Sequence, residues 1–326
     1  MRRRVFLATV VAFALGLAAV SATSADSSEH IIAYTPHGQI SFFSDDEFTS
    51  ENGVTGGSGT YEDPYVIEGW SIDISDIESD GSGVLMGGIH IGNTMAYLTI
   101  RNVLIQGDYS PADASQGVGI TGNHAILMYF GANVLIENCV LKNTTCGIDI
   151  RGMDNVVIRG NTITGNSRGV DIQASSQVIM EDNSVADSQF GNVLLEWISD
   201  STVKNNTVSG SDEWMGMNLY DSDNCDLLNN TISNNPNIGL NVGFCRNCRI
   251  AGNTFSNNRI GIEIYGEENV ILEENTFTGN EENIEDLSDG PSYLGLAIVT
   301  SMVAVAAVII ATYLLLKKGE PKRPSQ

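Results

Sequence analysis

Two aspartates stand 22 residues apart in near-identical surroundings, Gly147-Ile148-Asp149-Ile150-Arg151 and Gly169-Val170-Asp171-Ile172-Gln173, with Arg168 just ahead of the second. Carboxylates brought side by side would share Ca2+, a hard cation that takes several oxygen ligands. With Arg151 or Arg168 as the nearby base they are the one acid–base set the sequence offers. The series continues through Asn218, Asn241 and Glu263 and is broken by Leu194. Its plainer reading is a solvated strand face on a very acidic protein. No cofactor is otherwise called for.

A second series is aromatic. Trp197, Tyr220, Phe244 and Tyr265 recur at similar places, with Trp197 and Phe244 one residue later than the two tyrosines. Stacked one above another, such rings would cradle the apolar faces of sugars; equally, they would fill a turn corner and cover the core edge. Five cysteines in an oxidising setting suggest disulfides with one thiol to spare. Cys225 and Cys248 share a slot in successive repeats, and Cys139 with Cys146 would form a second bridge. Cys245-Arg246-Asn247-Cys248 lacks the second CxxC or nearby His of a zinc site. Sequons begin at Asn143, Asn205 and Asn229, all in turn-like stretches.

The elements that carry these residues are repeats. An apolar-x-x-Asn-Thr-apolar unit begins at Ile158, Met180, Val203, Leu227, Ile250 and Leu272, in steps of 22 to 24. Ile136 to Leu141 is an earlier copy with Cys139 in the Asn slot. Between copies lie short alternating runs such as Gly216-Met217-Asn218-Leu219, which have the period of a strand with one buried face. There is no room for helices. Strands this short bury a face only if each lies beside its counterpart one repeat later, which predicts an all-β, right-handed parallel β-helix of about nine coils over Tyr65 to Phe277. The Asn column 161, 183, 206, 230, 253 and 275 suits tight corners and a ladder of side-chain amides. Glu137, Arg159, Glu181 and Lys204 alternate in sign, as cross-strand ion pairs do. About 14 extra residues around Asp108 to Asp113 must project as a loop, a common carrier of binding and also a tolerated insertion.

The repeats resemble those of NosD-like proteins and of the carbohydrate-binding and sugar-hydrolase group with the same fold. The lead-in Gly56-Gly57-Ser58-Gly59-Thr60-Tyr61-Glu62-Asp63-Pro64-Tyr65 is similar to the start of archaeal surface proteins of this type. That resemblance covers roughly residues 55–280 and implies the fold; activity varies across the group. In lyases of this fold, Ca2+ on acidic side chains acidifies a uronate and an Arg or Lys removes its proton. NosD is linked to copper-site maturation, yet the four histidines here, 30, 37, 90 and 124, are scattered in sequence.

Composition and the two ends set the location. The chain has 326 residues, 34 Gly, 30 Asn, and 40 acidic against 16 basic residues, for a net charge of −24. Between residues 26 and 293 the count is 9 basic less 39 acidic, or −30, which repels phosphate backbones and excludes nucleic acid. Three Arg, an apolar run from Val5 to Val20 and small residues before Ala22 or Ala25 read as a signal peptide over 1–25. Arg3-Arg4-Val5-Phe6-Leu7 is also similar to a twin-arginine signal. Leu294 to Leu316 is uncharged, and at a ~1.5 Å rise it reaches roughly 34 Å, enough to span a bilayer. Basic residues follow it at once, which puts the 317–326 tail inside. The expected order is leader 1–25, cap 26–64, repeats 65–278, acidic stalk 279–293, membrane helix 294–316 and tail. A single-pass, extracellular, non-enzymatic protein that binds glycans or serves as an envelope-structural rod, with polysaccharide or other envelope components as partners, is the leading expectation. A polysaccharide lyase, hydrolase or epimerase is the alternative, and an accessory factor for metal-site assembly is a third.

Overall fold

The computed structural model describes residues 33–75, 86–110 and 123–288. The expected signal peptide, membrane helix, tail and most of the inserted loop lie outside them. Within the described residues no helix is long and apolar enough to cross a membrane.

The chain winds as a right-handed parallel β-solenoid. One sheet has ten parallel strands, running from Thr35–Pro36 through Trp70–Asp73 and Leu104–Gln106 to Thr276–Thr278. Its later centres, Leu141, Ile163, Val185, Val208, Ile232, Phe255 and Phe277, pair in register at intervals of 22 to 24 residues. About seven turns are therefore regular, where about nine coils were expected over Tyr65 to Phe277. The upstream steps, Ile72 to Ile105 to Leu141, run to 33 and 36 residues and carry long corners.

Alternation within each strand decides what is inside. Ile148, Val170, Met217, Leu240 and Ile262 point into the coil and are fully buried, as are Ile158, Met180, Val203 and Ile250 on the adjoining strands. Each such side chain contributes roughly 1.5–3 kcal/mol by leaving water. Single-file stacking means every coil covers the core of the next.

The corners are held by amides, as the Asn column predicts. Asn183 Nδ2 donates to Asn206 Oδ1 at 2.9 Å and to the Ile158 carbonyl at 2.9 Å, while the Asn183 N–H donates to the same Asn206 oxygen at 3.0 Å. The pattern runs unbroken from Asn161 to Asn275. A second ladder, which the repeat unit does not reveal, links Asn235, Asn258 and Asn280 at the next corner. On the outer face Arg159 pairs with Glu137 at 2.7 Å and Lys204 with Glu181 at 2.9 Å, as the alternating signs imply.

At the start, Phe42, Phe48 and Val54 close onto the core, and Phe48 stacks on both Phe42 and Tyr65. At the far end Glu282–Asp286, inside the segment read as a stalk, adds a strand to Ile260–Tyr265.

Candidate functional site

Strand register brings the polar series together. His90, Leu127, Asp149, Asp171, Leu194, Asn218, Asn241, Glu263 and Glu285 are successive neighbours down one face. The face is not solvated, which corrects the expectation: Asp149 is 0% and Asp171 1% exposed, and Asn218, Asn241 and Glu263 are also buried. Side chains from the strand ends fold over it. Tyr265 crosses Gly243, where a β-carbon would sit 2.7 Å from its ring, and its hydroxyl meets Asn241 Nδ2 at 3.3 Å. Trp214 and Leu287 pack on Tyr220 and Tyr265. Tyr129 crosses Gly92 in the same way and meets the His90 ring edge-on at 5.4 Å.

Buried charge must be paired, and at Asp149 and Asp171 it is. Arg151 grips Asp149 with two bonds, Nε to Oδ1 at 2.8 Å and a terminal nitrogen to Oδ2 at 2.7 Å. Arg168 donates to Asp171 Oδ2 at 2.9 Å, and Gln173 Nε2 donates to Oδ1 at 3.1 Å. Burial pushes the Asp149 carboxyl up, but Arg151 and His124 outweigh it and hold the group below the usual carboxylate range. Asp171 is raised, chiefly by burial and further by Asp149, against the pull of Arg168. The structure thus assembles Asp149, Asp171, Arg151 and Arg168 into one cluster, each carboxylate already gripped by its own guanidinium.

Three residues that the sequence did not assign to this acid–base set join it, one of them Cys146, read there as a disulfide partner. His124 and Cys146 are direct cross-strand partners, and Cys146 is in turn the partner of Arg168. Glu196 ends the strand beside Gln173 and accepts from Asn218 Nδ2 at 3.3 Å. Burial and the neighbouring Asp171 push its carboxyl up to about 7, partly offset by Arg168. Glu196 and Arg168 are only partly covered, so they form the accessible rim of the cluster. Their place in the strand repeat was the available signal for this, masked because neither belongs to the Asp149 column.

The aromatic series divides in two. Tyr220 and Tyr265 are buried, whereas Phe244 is 39% exposed and Trp197 is half-buried. Phe244 lies edge-on between the two tyrosines, 5.5 Å from each. Its one-residue offset, shared by Trp197, places both on a corner with φ of 53° and 54°. Phe130, 45% exposed, occupies the equivalent corner at φ 54°. The corner is otherwise small or polar, with Asn93, Gly152, Ala174, Asp221 and Gly266. The expected four-ring platform is therefore a ridge of three spaced aromatics.

All five cysteines are free and buried, which overturns the expected bridges Cys225–Cys248 and Cys139–Cys146. Cys225 and Cys248 stack in a single-file column whose spacing is that of the coils. Cys139 sits in the Asn slot, accepting no bridge but donating its N–H to Asn161 Oδ1 at 2.9 Å, and strand Val140–Lys142 with its following corner separates it from Cys146. Asn143, Asn205 and Asn229 are exposed corner residues with φ near 55°.

With this geometry in hand, comparison places the repeats. The family model for the periplasmic copper-binding protein NosD matches residues 172–292, and that for the right-handed β-helix region matches 87–213. Those two stretches carry a NosD-like repeat and a right-handed β-helix repeat respectively. Among solved structures, a double mutant of the periplasmic alginate epimerase AlgG is 18% identical, with 71% of this chain and 59% of that one covered, at a TM-score of 0.51. An alginate lyase from Paenibacillus sp. str. FPU-7 is 10% identical over 76% and 99%, at 0.51. The enzymatically active domain of bacteriophage CBA120 tailspike protein 2 is 9% identical over 78% and 41%, at 0.57. At these identities the likeness is one of fold. No curated sequence matches the chain.

The copper in the family description is not matched by donors in the corresponding stretch. Residues 172–292 contain no His. Their three thiols already lie against carbonyls, Cys225 at 3.3 Å from Asp223 O, Cys245 at 3.3 Å from Gly243 O and Cys248 at 3.4 Å from Arg246 O. Among the described residues they are not gathered with other donors into a metal-sized cluster.

Proposed function

We propose that the protein binds an extended neutral or basic glycan along the corner ridge of Phe130, Trp197 and Phe244. One observation carries this reading: bulky aromatics occupy left-handed corners that Gly or Asn fill at lower cost, with Phe130 and Phe244 exposed there and Trp197 half-buried. Strain kept at an exposed ring marks function better than the ring alone. Coils repeat every ~4.8 Å, so rings two or three coils apart are spaced roughly 10–14 Å, the span of a few sugars. The carbohydrate-acting proteins that share the fold support a glycan as the ligand. The strong negative charge argues against a polyanionic one.

The signal-like start and the apolar run 294–316 support a single-pass surface protein whose solenoid stands outside the cell, facing envelope components. The binding test is affinity electrophoresis of the protein against neutral, basic and acidic polysaccharides. Trp197→Ala with Phe244→Ala should weaken retention at least ten-fold while the far-ultraviolet circular dichroism stays unchanged. Unchanged retention of that double variant would sink the ridge.

A second reading, catalysis on a polysaccharide, is favoured by Glu196. A carboxyl poised at about 7 beside the partly exposed Arg168 has the pairing an acid–base step needs. Release of unsaturated uronates or of new reducing ends, abolished by Glu196→Gln, is the result that would establish it.

A further inference from the structure

We propose that His124, Cys146 and Asp149 form a binding site for a divalent transition-metal ion of the zinc class. The inference stands apart from the glycan reading and uses different atoms. One donor atom from each residue lies within 4.8 Å of the other two, and the three residues are 2%, 2% and 0% exposed. His124 Nδ1 is 3.1 Å from Asp149 Oδ2, yet it falls outside hydrogen-bond geometry, and His124 Nε2 has no partner either. Leaving a buried polar atom unpaired costs about 1–3 kcal/mol, so a His124 Nδ1 that approaches a carboxylate without hydrogen-bonding it needs an explanation. A metal ion supplies it. In a tetrahedral zinc site the ligands stand ~2.0–2.2 Å from the ion, which puts nitrogen and oxygen roughly 3.3 Å apart, close to the separation seen.

The surroundings suit such an ion. Cross-strand pairing fixes His124 beside Cys146, and Asp149 follows three residues later on the same strand. Arg151 holds Asp149 through both oxygens and so orients it, the role that outer partners play around metal ligands. A thiol, an imidazole and a carboxylate are a borderline donor set; Ca2+ takes oxygen ligands only. Binding transfers the Cys146 proton, which now points to the Ile148 carbonyl at 3.3 Å, to solvent, and the thiolate and Asp149 together offset the charge of the ion.

Cobalt(II) is the probe, added to the full-length, chelator-treated protein. One equivalent should give a thiolate-to-cobalt charge-transfer band with tetrahedral visible bands, and Zn2+ should displace it while excess Ca2+ does not. Cys146→Ser should remove the band, and His124→Gln should weaken cobalt binding at least ten-fold. Cys248→Ser, in the separate thiol group, should leave both intact. Zn2+ should also raise the melting temperature of the wild-type protein, a readout that stands even if a variant fails to fold. Absence of the band, its survival in Cys146→Ser, its loss in Cys248→Ser, displacement by Ca2+, or a melting temperature indifferent to Zn2+ would each overturn the site.

Discussion

The backbone N–H of Cys225 points at the sulfur of Cys248, 3.4 Å away on the next coil. Two coils earlier the same role belongs to a hydroxyl, since Val178 N–H meets Ser201 Oγ at 3.0 Å. The neighbouring column repeats the pattern, with Ile198 N–H on Ser222 Oγ at 3.2 Å. Cys225 and Cys248 are therefore serine substitutes in a corner ladder. Both thiols are free and buried in that ladder.

Denatured under non-reducing conditions, the protein should thus titrate as five free thiols. Cys248→Ser should cost no more than about 1 kcal/mol, because the hydroxyl restores the acceptor. A Cys225–Cys248 cross-linked peptide in a non-reducing digest would refute this account.

The amide ladder makes the opposite prediction at Asn206. Its side chain accepts from the Asn183 N–H and amide, and donates to Met180 O and Asn230 Oδ1. Asn206→Ala strands buried donors and acceptors on both adjacent coils and should destabilise by about 2–4 kcal/mol. Asn275 closes the ladder and is only half-buried, so Asn275→Ala should cost less. Urea unfolding of the two variants gives the comparison, and equal losses would count against the ladder.

The ladder was legible in the sequence because one residue type recurs at one step. So was the interior, where alternation in Gly261-Ile262-Glu263-Ile264 fixes which face is apolar. Covering of the outer face was not legible. An outward Asp149 reads as solvated, and only the fold shows Tyr129, Tyr265 and Trp214 arriving from other parts of the chain. The second corner ladder hid for a different reason. Thr144, Asn166 and Ser188 share its role, so no single letter repeats. His124 escaped because its partner Cys146 is 22 residues away and of another chemistry.

Removing one half of the buried pair should be costly. Arg151→Met leaves Asp149 ionised without its two bonds and should destabilise by about 3–5 kcal/mol at neutral pH. Arg159→Met, which breaks an outer pair with Glu137, should cost no more than about 1 kcal/mol. Thermal melts of the two variants side by side separate buried from exposed pairing.

Glu196 predicts a pH dependence of stability. Its carboxyl is raised from 4.5 to about 7, mostly by burial and by Asp171. Between those values the folded chain holds a proton that the unfolded chain releases, so this group's contribution falls as pH rises from 4.5 to 7. Glu196→Gln should remove that slope. Its advantage over wild type should be on the order of 2 kcal/mol at pH 8, allowing for solvent at the partly covered group, and near zero at pH 4. Parallel stability curves for the two proteins would refute the shift.

Aromatic substitutions should separate ridge from lid. Tyr265 is 1% exposed and packs over Asn241 with Trp214 and Leu287, so Tyr265→Ala opens the polar face and should cost about 3–5 kcal/mol. Phe244 stands outside it in a left-handed corner, where Gly relaxes the backbone. Phe244→Gly should leave stability within about 1 kcal/mol of wild type, relief of the corner offsetting lost edge contacts with the tyrosines. It should nonetheless weaken glycan retention, whereas Tyr265→Phe should keep both stability and retention near wild type. Chemical denaturation and affinity electrophoresis on the same three preparations decide the matter. If Phe244→Gly binds normally and unfolds early, the ring belongs to the packing and the ridge is not a binding surface.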